Sequence, residues 1–102
     1  MRFTLRQLTY FIAAAETGSV TRAAEQVNIS QPSISAAILH LEVEFGAQLF
    51  VRHHAQGLSL TPAGQRLLAA AKEALRTTQG LYDVVNSALG VVAGPINLGS
   101  FR

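Results

Sequence analysis

The sequence predicts a mainly α-helical chain, and three observations carry that expectation. Apolar residues recur at helical spacing in four successive segments, capping residues stand at the ends of those segments, and only one short stretch between them has the β-prone runs and turn residues of a hairpin. The chain has 102 residues, enough for one domain and too few for two independent cores. Charged residues make up 14% of it, well below the ~25% of ordinary globular domains. The formal charge of +2 is a weak pointer to a nucleic-acid partner. Through residue 65, Arg2, Arg6, Arg22 and Arg52 cancel against Glu16, Glu25, Glu42 and Glu44, so the excess lies in the C-terminal third. With no Cys there is neither a disulfide framework nor a thiolate metal site, a composition suited to a reducing cytosol. Gln7, Thr9 and Tyr10 interrupt the N-terminal apolar residues, so no secretory signal is expected, and no run approaches the ~18 apolar residues of a membrane span.

The first helix is expected over about Leu5 to Glu16, with Leu8, Phe11, Ile12 and Ala15 on one face. Gly18 tolerates the positive φ that ends such a helix, and Ser19 caps the next, which covers Val20 to Val27. The third begins at Ser30-Gln31-Pro32-Ser33, where Pro32 falls in the first turn and its missing N–H costs nothing. Its buried stripe is expected to be Ile34, Ile38, Leu41 and Phe45, with Gly46 as terminator. The opposite face carries Gln31, Ser33, Ser35, Ala36, Ala37 and His40, short or uncharged side chains that suit a tight polar groove better than open solvent. Two β-prone runs, Leu49 to His53 and Leu58 to Thr61, flank the loop His54-Ala55-Gln56-Gly57. Three helices and a hairpin make a winged helix-turn-helix.

Thr61-Pro62 then opens a long helix to about Leu89. Leu68, Leu75, Tyr82 and Leu89 recur every seven residues, with Ala71, Thr78 and Val85 between them and Leu81 on the flank. This is a heptad seam, and it points to self-association through that helix. Packing of the same seam back on the winged domain is the other reading, and different stretches of the helix are free to do each. Beyond Gly94-Pro95, Ile96 to Phe101 alternate like a strand with no pairing partner in the chain, which suggests truncation.

In these motifs the sequence resembles the N-terminal region of LysR-type transcriptional regulators over about residues 3 to 100. The residues that carry the resemblance are Leu8 with Tyr10-Phe11, Gly18-Ser19-Val20-Thr21-Arg22-Ala23-Ala24, Ser30-Gln31-Pro32-Ser33-Ile34-Ser35, Ile38, Leu41-Glu42, Phe45-Gly46, Leu49-Phe50 with Arg52, and Leu60-Thr61-Pro62-Ala63-Gly64. The resemblance implies a bacterial, cytoplasmic regulator that binds double-stranded DNA at an interrupted dyad. It implies a winged domain over residues 1–61, with the helix-turn-helix at about 21–40 and the wing at about 49–61. A dimerisation helix over 62–90 follows, then a hinge and first strand of an effector-binding domain at 91–102. Gln31, Pro32, Ser33 and Ser35 match the family's recognition-helix contacts, Ser19, Thr21 and Arg22 its phosphate contacts, and Arg52 and Thr61 its wing and linker contacts. Ala36 stands where Arg is frequent and is expected to meet thymine methyls. His53 is placed beside Arg52 near phosphates. The wing loop is one residue longer than the common pattern, and Gln56 stands where a basic residue is frequent. Leu68, Ala71, Leu75, Thr78, Leu81, Tyr82, Val85 and Leu89 are expected to form the homodimer seam, with a tetramer and RNA polymerase as further partners of the full-length protein. No cofactor is expected in this chain, and a small-molecule effector is expected for the full-length protein.

Each local signal also has a plainer reading. Ser-x-Pro starts many helices, and lone arginines are usually solvated. His40, His53 and His54 lack a third ligand at suitable spacing, so no metal is expected. Ser35, His40 and Glu42 would share one exposed helix without a pocket, so no enzyme activity is expected. The alternative function is a helical assembly module with no nucleic-acid role.

Overall fold

A computed structural model describes residues 2–54 and 57–90. The element order is α1 (Leu5–Thr17), α2 (Val20–Val27), α3 (Gln31–Phe45), β1 (Phe50–His53), β2 (Gly57–Leu60) and α4 (Pro62–Ala88). The chain divides into two compact units, Met1–Lys72 and Glu73–Arg102. The expected strand after Gly94-Pro95 and the wing-loop residues Ala55 and Gln56 lie outside the described residues.

In the first unit the helices start where side chains satisfy backbone N–H groups that have no intrahelical acceptor. Thr4 and Gln7 form a reciprocal capping box at α1. Ser19 accepts from the Arg22 N–H at α2, and Ser30 accepts from the Ser33 N–H at α3, with Pro32 in the first turn. The helices end in left-handed residues, Gly18, Asn28 and Gly46. Of these only Asn28 carries a Cβ, and its short polar side chain is among those that tolerate this conformation.

The three helices pack on one another around Phe11, Ile34, Ile38, Leu41 and Leu49, the largest fully buried side chains. Ala13, Ala14, Ala23 and Ala24 are also buried and let α1 and α2 approach closely. Phe11 meets Phe50 of the hairpin at 5.4 Å between ring centroids, tilted by 59°. Burying a Leu, Ile or Phe side chain contributes about 1.5–3 kcal/mol, so these residues supply the main stabilising term for so small a unit.

The hairpin is antiparallel, with Phe50 opposite Leu60 and His53 opposite Gly57. One bond ties it to the α1–α2 turn and another closes its own base. The Leu58 N–H donates to the Gly18 carbonyl at 2.8 Å, and the Thr61 N–H donates to the Leu49 carbonyl at 3.0 Å. Gly57 lies so close to the Gly18 carbonyl that a Cβ there would collide with it, and its φ is +85°.

The first turns of α4 belong to this unit. Gly64 is buried against the Leu49 carbonyl, which a Cβ would overlap. Ala71 is 2% exposed and sits in the core cluster, with Leu67 and Leu68 packed against it. Lys72 reaches the Glu16 carboxylate at 2.5 Å in an exposed ion pair that contributes little.

Two expectations for α3 are corrected. Phe45 is 43% exposed and stacks on Phe3 instead of joining the core, with centroids 5.3 Å apart. Ala37 takes its place inside at 5% exposure, so it does not belong to the solvent face. At ~100° per residue, Ile34, Ala37, Ile38 and Leu41 fill one arc of the helix, and Phe45 falls within the same arc but one turn past the last packed residue.

Candidate nucleic-acid interface

The first unit gathers the expected contact residues in two places. One is a cleft of about 410 Å³ between the start of α2 and the hairpin, lined by Ser19, Val20, Thr21, Arg52, His53, Gly57 and Leu58. The bond from Leu58 to Gly18 brings the hairpin against the α1–α2 turn and so closes this cleft. At its helical side the Arg22 N–H is held by the Ser19 side chain and the Ala23 N–H by the Ser19 carbonyl. The Val20 and Thr21 N–H groups have no acceptor among the described residues, and they add the positive end of the helix dipole to the Arg52 guanidinium. On the hairpin side His53 Nε2 lies 2.7 Å from the Ser59 Oγ, a diagonal cross-strand contact that fixes the ring. One guanidinium, one imidazole, free N–H groups and the Thr21 hydroxyl make a recess suited to an oxygen anion of phosphate size. Arg22 is exposed on the next position of α2.

The second place is the exposed side of α3. Gln31, Pro32, Ser33 and Ala36 are exposed and Ser35 is half-buried. The Ser33 and Ser30 hydroxyls share a hydrogen bond of 2.8 Å, so the cap reinforces the first turn and holds Ser33 in place. His40, on the same helix, is tied by Nε2 to the Arg2 carbonyl oxygen at 2.6 Å. The Glu42 carboxylate turns away from solvent and accepts the Leu49 N–H at 2.9 Å and the Phe50 N–H at 3.4 Å. Glu42 therefore secures the hairpin, and one of the two acidic groups of α3 is occupied internally.

Thr61 lies apart from these two places and has a structural task. Its Oγ1 donates to the Gln48 carbonyl at 2.6 Å and accepts from the Gly64 N–H at 3.0 Å, which anchors the start of α4.

The residues expected in the heptad seam separate into two groups. Leu68 and Ala71 pack into the core of the first unit. In the second unit Leu75 is half-buried, and Leu81, Tyr82, Val85 and Leu89 are exposed. Thr78, Leu81, Tyr82, Val85 and Asn86 line one shallow apolar depression. The Thr78 hydroxyl bonds back to the Ala74 carbonyl at 2.9 Å, which leaves its methyl for the depression.

Among the described residues no group of His, Asp or Glu is placed to hold a metal ion, and no helix is long and apolar enough to cross a membrane. Val20, Gly57 and Leu58 of the cleft escaped the sequence reading, because only the pairing of the hairpin with Gly18 brings them there. Leu39 and Val43 escaped it too, although their spacing from Pro32 and Ala36 is a signal available in the sequence.

The family model described as "Bacterial regulatory helix-turn-helix protein, lysR family" matches residues 5–65, and so spans α1, α2, α3, both strands and the start of α4. The chain belongs to the lysR family. Among its relatives, the uncharacterised regulator YvbU of Bacillus subtilis is 36% identical over 96% of this chain and 34% of its own length. The regulator ClcR of Pseudomonas putida is 46% identical over 72% of this chain and 25% of its own length. This lysR-family chain thus spans about a third or less of the curated relatives it matches. Among solved structures, the complex of the CbnR DNA-binding domain with DNA superposes with a TM-score of 0.81 at 37% identity, covering 85% of this chain and 99% of that one. The complex of the BenM DNA-binding domain with benA site 1 DNA gives 0.79 at 32% identity, covering 84% and 99%.

Proposed function

We propose that this chain is the DNA-binding part of a transcriptional regulator and binds double-stranded DNA as a homodimer. The observation that carries the reading is that one compact unit carries both the exposed first turns of α3 and a separate cleft whose Arg52, His53 and free α2 N–H groups suit an anion. A helix of this kind fits the major groove with its N-terminal residues toward base edges, while the cleft takes a backbone phosphate. Gln31, Pro32, Ser33, Ser35 and Ala36 serve the groove. Ser19, Thr21, Arg22, Arg52 and His53 serve phosphates, and Thr61 acts by holding the hairpin. The solved relatives bound to DNA support this assignment.

Dimerisation falls to the exposed stretch with Leu81, Tyr82, Val85 and Leu89, with Leu75 and Thr78 leading into it. Leu68 and Ala71 contribute by fixing the start of the helix to the head. A regulator of this family works in the bacterial cytoplasm, with no catalytic step of its own. The full-length protein takes a small-molecule effector and engages RNA polymerase as a dimer or tetramer.

Selection of bound sequences from random DNA with the purified chain, at stated salt, tests the reading. The expected product is a pair of related half-sites in dyad arrangement, spaced by about one helical turn or a multiple of it. A chain that forms dimers by sedimentation but retains no DNA at low salt is an assembly module instead.

A further inference from the structure

Helix α3 is apolar on two opposite sides. Its inner arc is Ile34, Ala37, Ile38 and Leu41, all buried. Its outer stripe is Pro32, Ala36, Leu39 and Val43, spaced 4, 3 and 4, which at ~100° per residue fall within about 60° of arc diametrically opposite the core. These are the residues that project furthest from the head. Leu39 is 61% and Val43 74% exposed. Helix α3 contains no Lys or Arg, its Glu42 is bonded to the hairpin backbone, and its His40 is bonded to the Arg2 carbonyl. The outermost line of the helix thus has no side-chain donor or acceptor to offer.

We propose that the stripe Pro32, Ala36 and Leu39 reads thymine 5-methyl groups in the major groove, with Leu39 as a specificity-determining residue. The proposal rests on the DNA-binding reading above and names the base chemistry it selects. Every base pair displays donors and acceptors in the major groove that an apolar stripe leaves unpaired, but the thymine methyl is the apolar group there, so only thymine offers the stripe a favourable contact in return. The distances agree. At 1.5 Å rise, Pro32 to Leu39 spans roughly 10 Å, or about three base-pair steps of 3.4 Å. Val43 lies about 6 Å further along the axis, past that span. Gln31 flanks the stripe at the helix start, where its amide pairs with adenine N6 and N7, so both strands of an A·T pair are recognised.

The test uses the duplex selected by the whole chain, compared with the same duplex carrying deoxyuridine in place of thymidine within the half-sites, which removes methyl groups only. Binding is expected to weaken about fourfold per contacted methyl. That ratio should be the same at two salt concentrations, because no phosphate contact is lost. Deoxyuridine outside the half-sites should have no effect. Leu39→Ala, an exposed change that keeps helix propensity, should abolish the deoxyuridine effect at one thymine position and leave the others. Equal binding of the two duplexes overturns the proposal while leaving DNA binding intact, as does a deoxyuridine effect that Leu39→Ala does not alter. A change in oligomeric state with Leu39→Lys and unchanged DNA binding assigns the stripe to a protein contact and also overturns it. If no sequence is enriched at all, the DNA-binding reading fails and takes the proposal with it.

Discussion

The Glu42 carboxylate of α3 accepts the backbone N–H of Leu49, 2.9 Å away, just where the chain enters the hairpin. Leu49 is fully buried, so its N–H has no recourse to water. Removing the acceptor leaves that donor unsatisfied, at a cost of about 1–3 kcal/mol. Glu42→Ala should lower the urea midpoint accordingly, and Glu42→Gln, which keeps an acceptor oxygen, should recover most of the loss. Equal midpoints for Ala and wild type would show that the contact contributes nothing.

Two glycines of α4 should respond with opposite sign. At Gly64 a Cβ overlaps the Leu49 carbonyl, so Gly64→Ala should destabilise the protein by about 1–3 kcal/mol through forced displacement of the backbone at Leu49. At Gly80 nothing lies within 4 Å of a Cβ, and Gly80→Ala should stabilise the helix by up to about 1 kcal/mol. Urea titration of both variants reads the two signs directly.

Leu81 and Val85 are exposed neighbours on one helical turn. A Glu at Val85 would place a charge in any seam formed there, so Val85→Glu should raise the dimer dissociation constant by about a hundredfold or more. Sedimentation equilibrium checks it. A dimer that survives unchanged would locate association elsewhere.

Arg52 lines the cleft beside the start of α2. If it neutralises a phosphate, Arg52→Ala should weaken binding to all duplexes alike and reduce the slope of log affinity against log salt by about one. A loss confined to the selected sequence would instead make Arg52 a base-reading residue.

Helix order and most caps were legible because they depend on neighbours in sequence. Ser19, Ser30, Gly18 and Gly46 stand within a few residues of the backbone groups they serve. The capping box of Thr4 and Gln7 is equally local but was not among the expected caps. The attachments of the hairpin were not legible, since Leu58 with Gly18 and Glu42 with Leu49 join residues whose proximity only the assembled core creates. Phe45 shows the limit of periodicity. It continues the apolar stripe of α3, but by its turn the helix has passed the core, and Phe3 offers only a partial cover. The heptad repeat of α4 was legible, but periodicity alone did not distinguish Ala71, which packs into the core of the first unit, from Leu81, which is exposed.

The two-sidedness of α3 bears on how such a protein can diverge. No side chain of the Pro32, Ala36, Leu39 and Val43 line belongs to the core cluster, and the residues that do belong to it lie on the other side of the same helix. Changes along the outer line therefore carry little folding penalty, apart from the first-turn preference for Pro32. Duplicated copies of this gene can therefore change along this line one residue at a time without passing through unfolded intermediates.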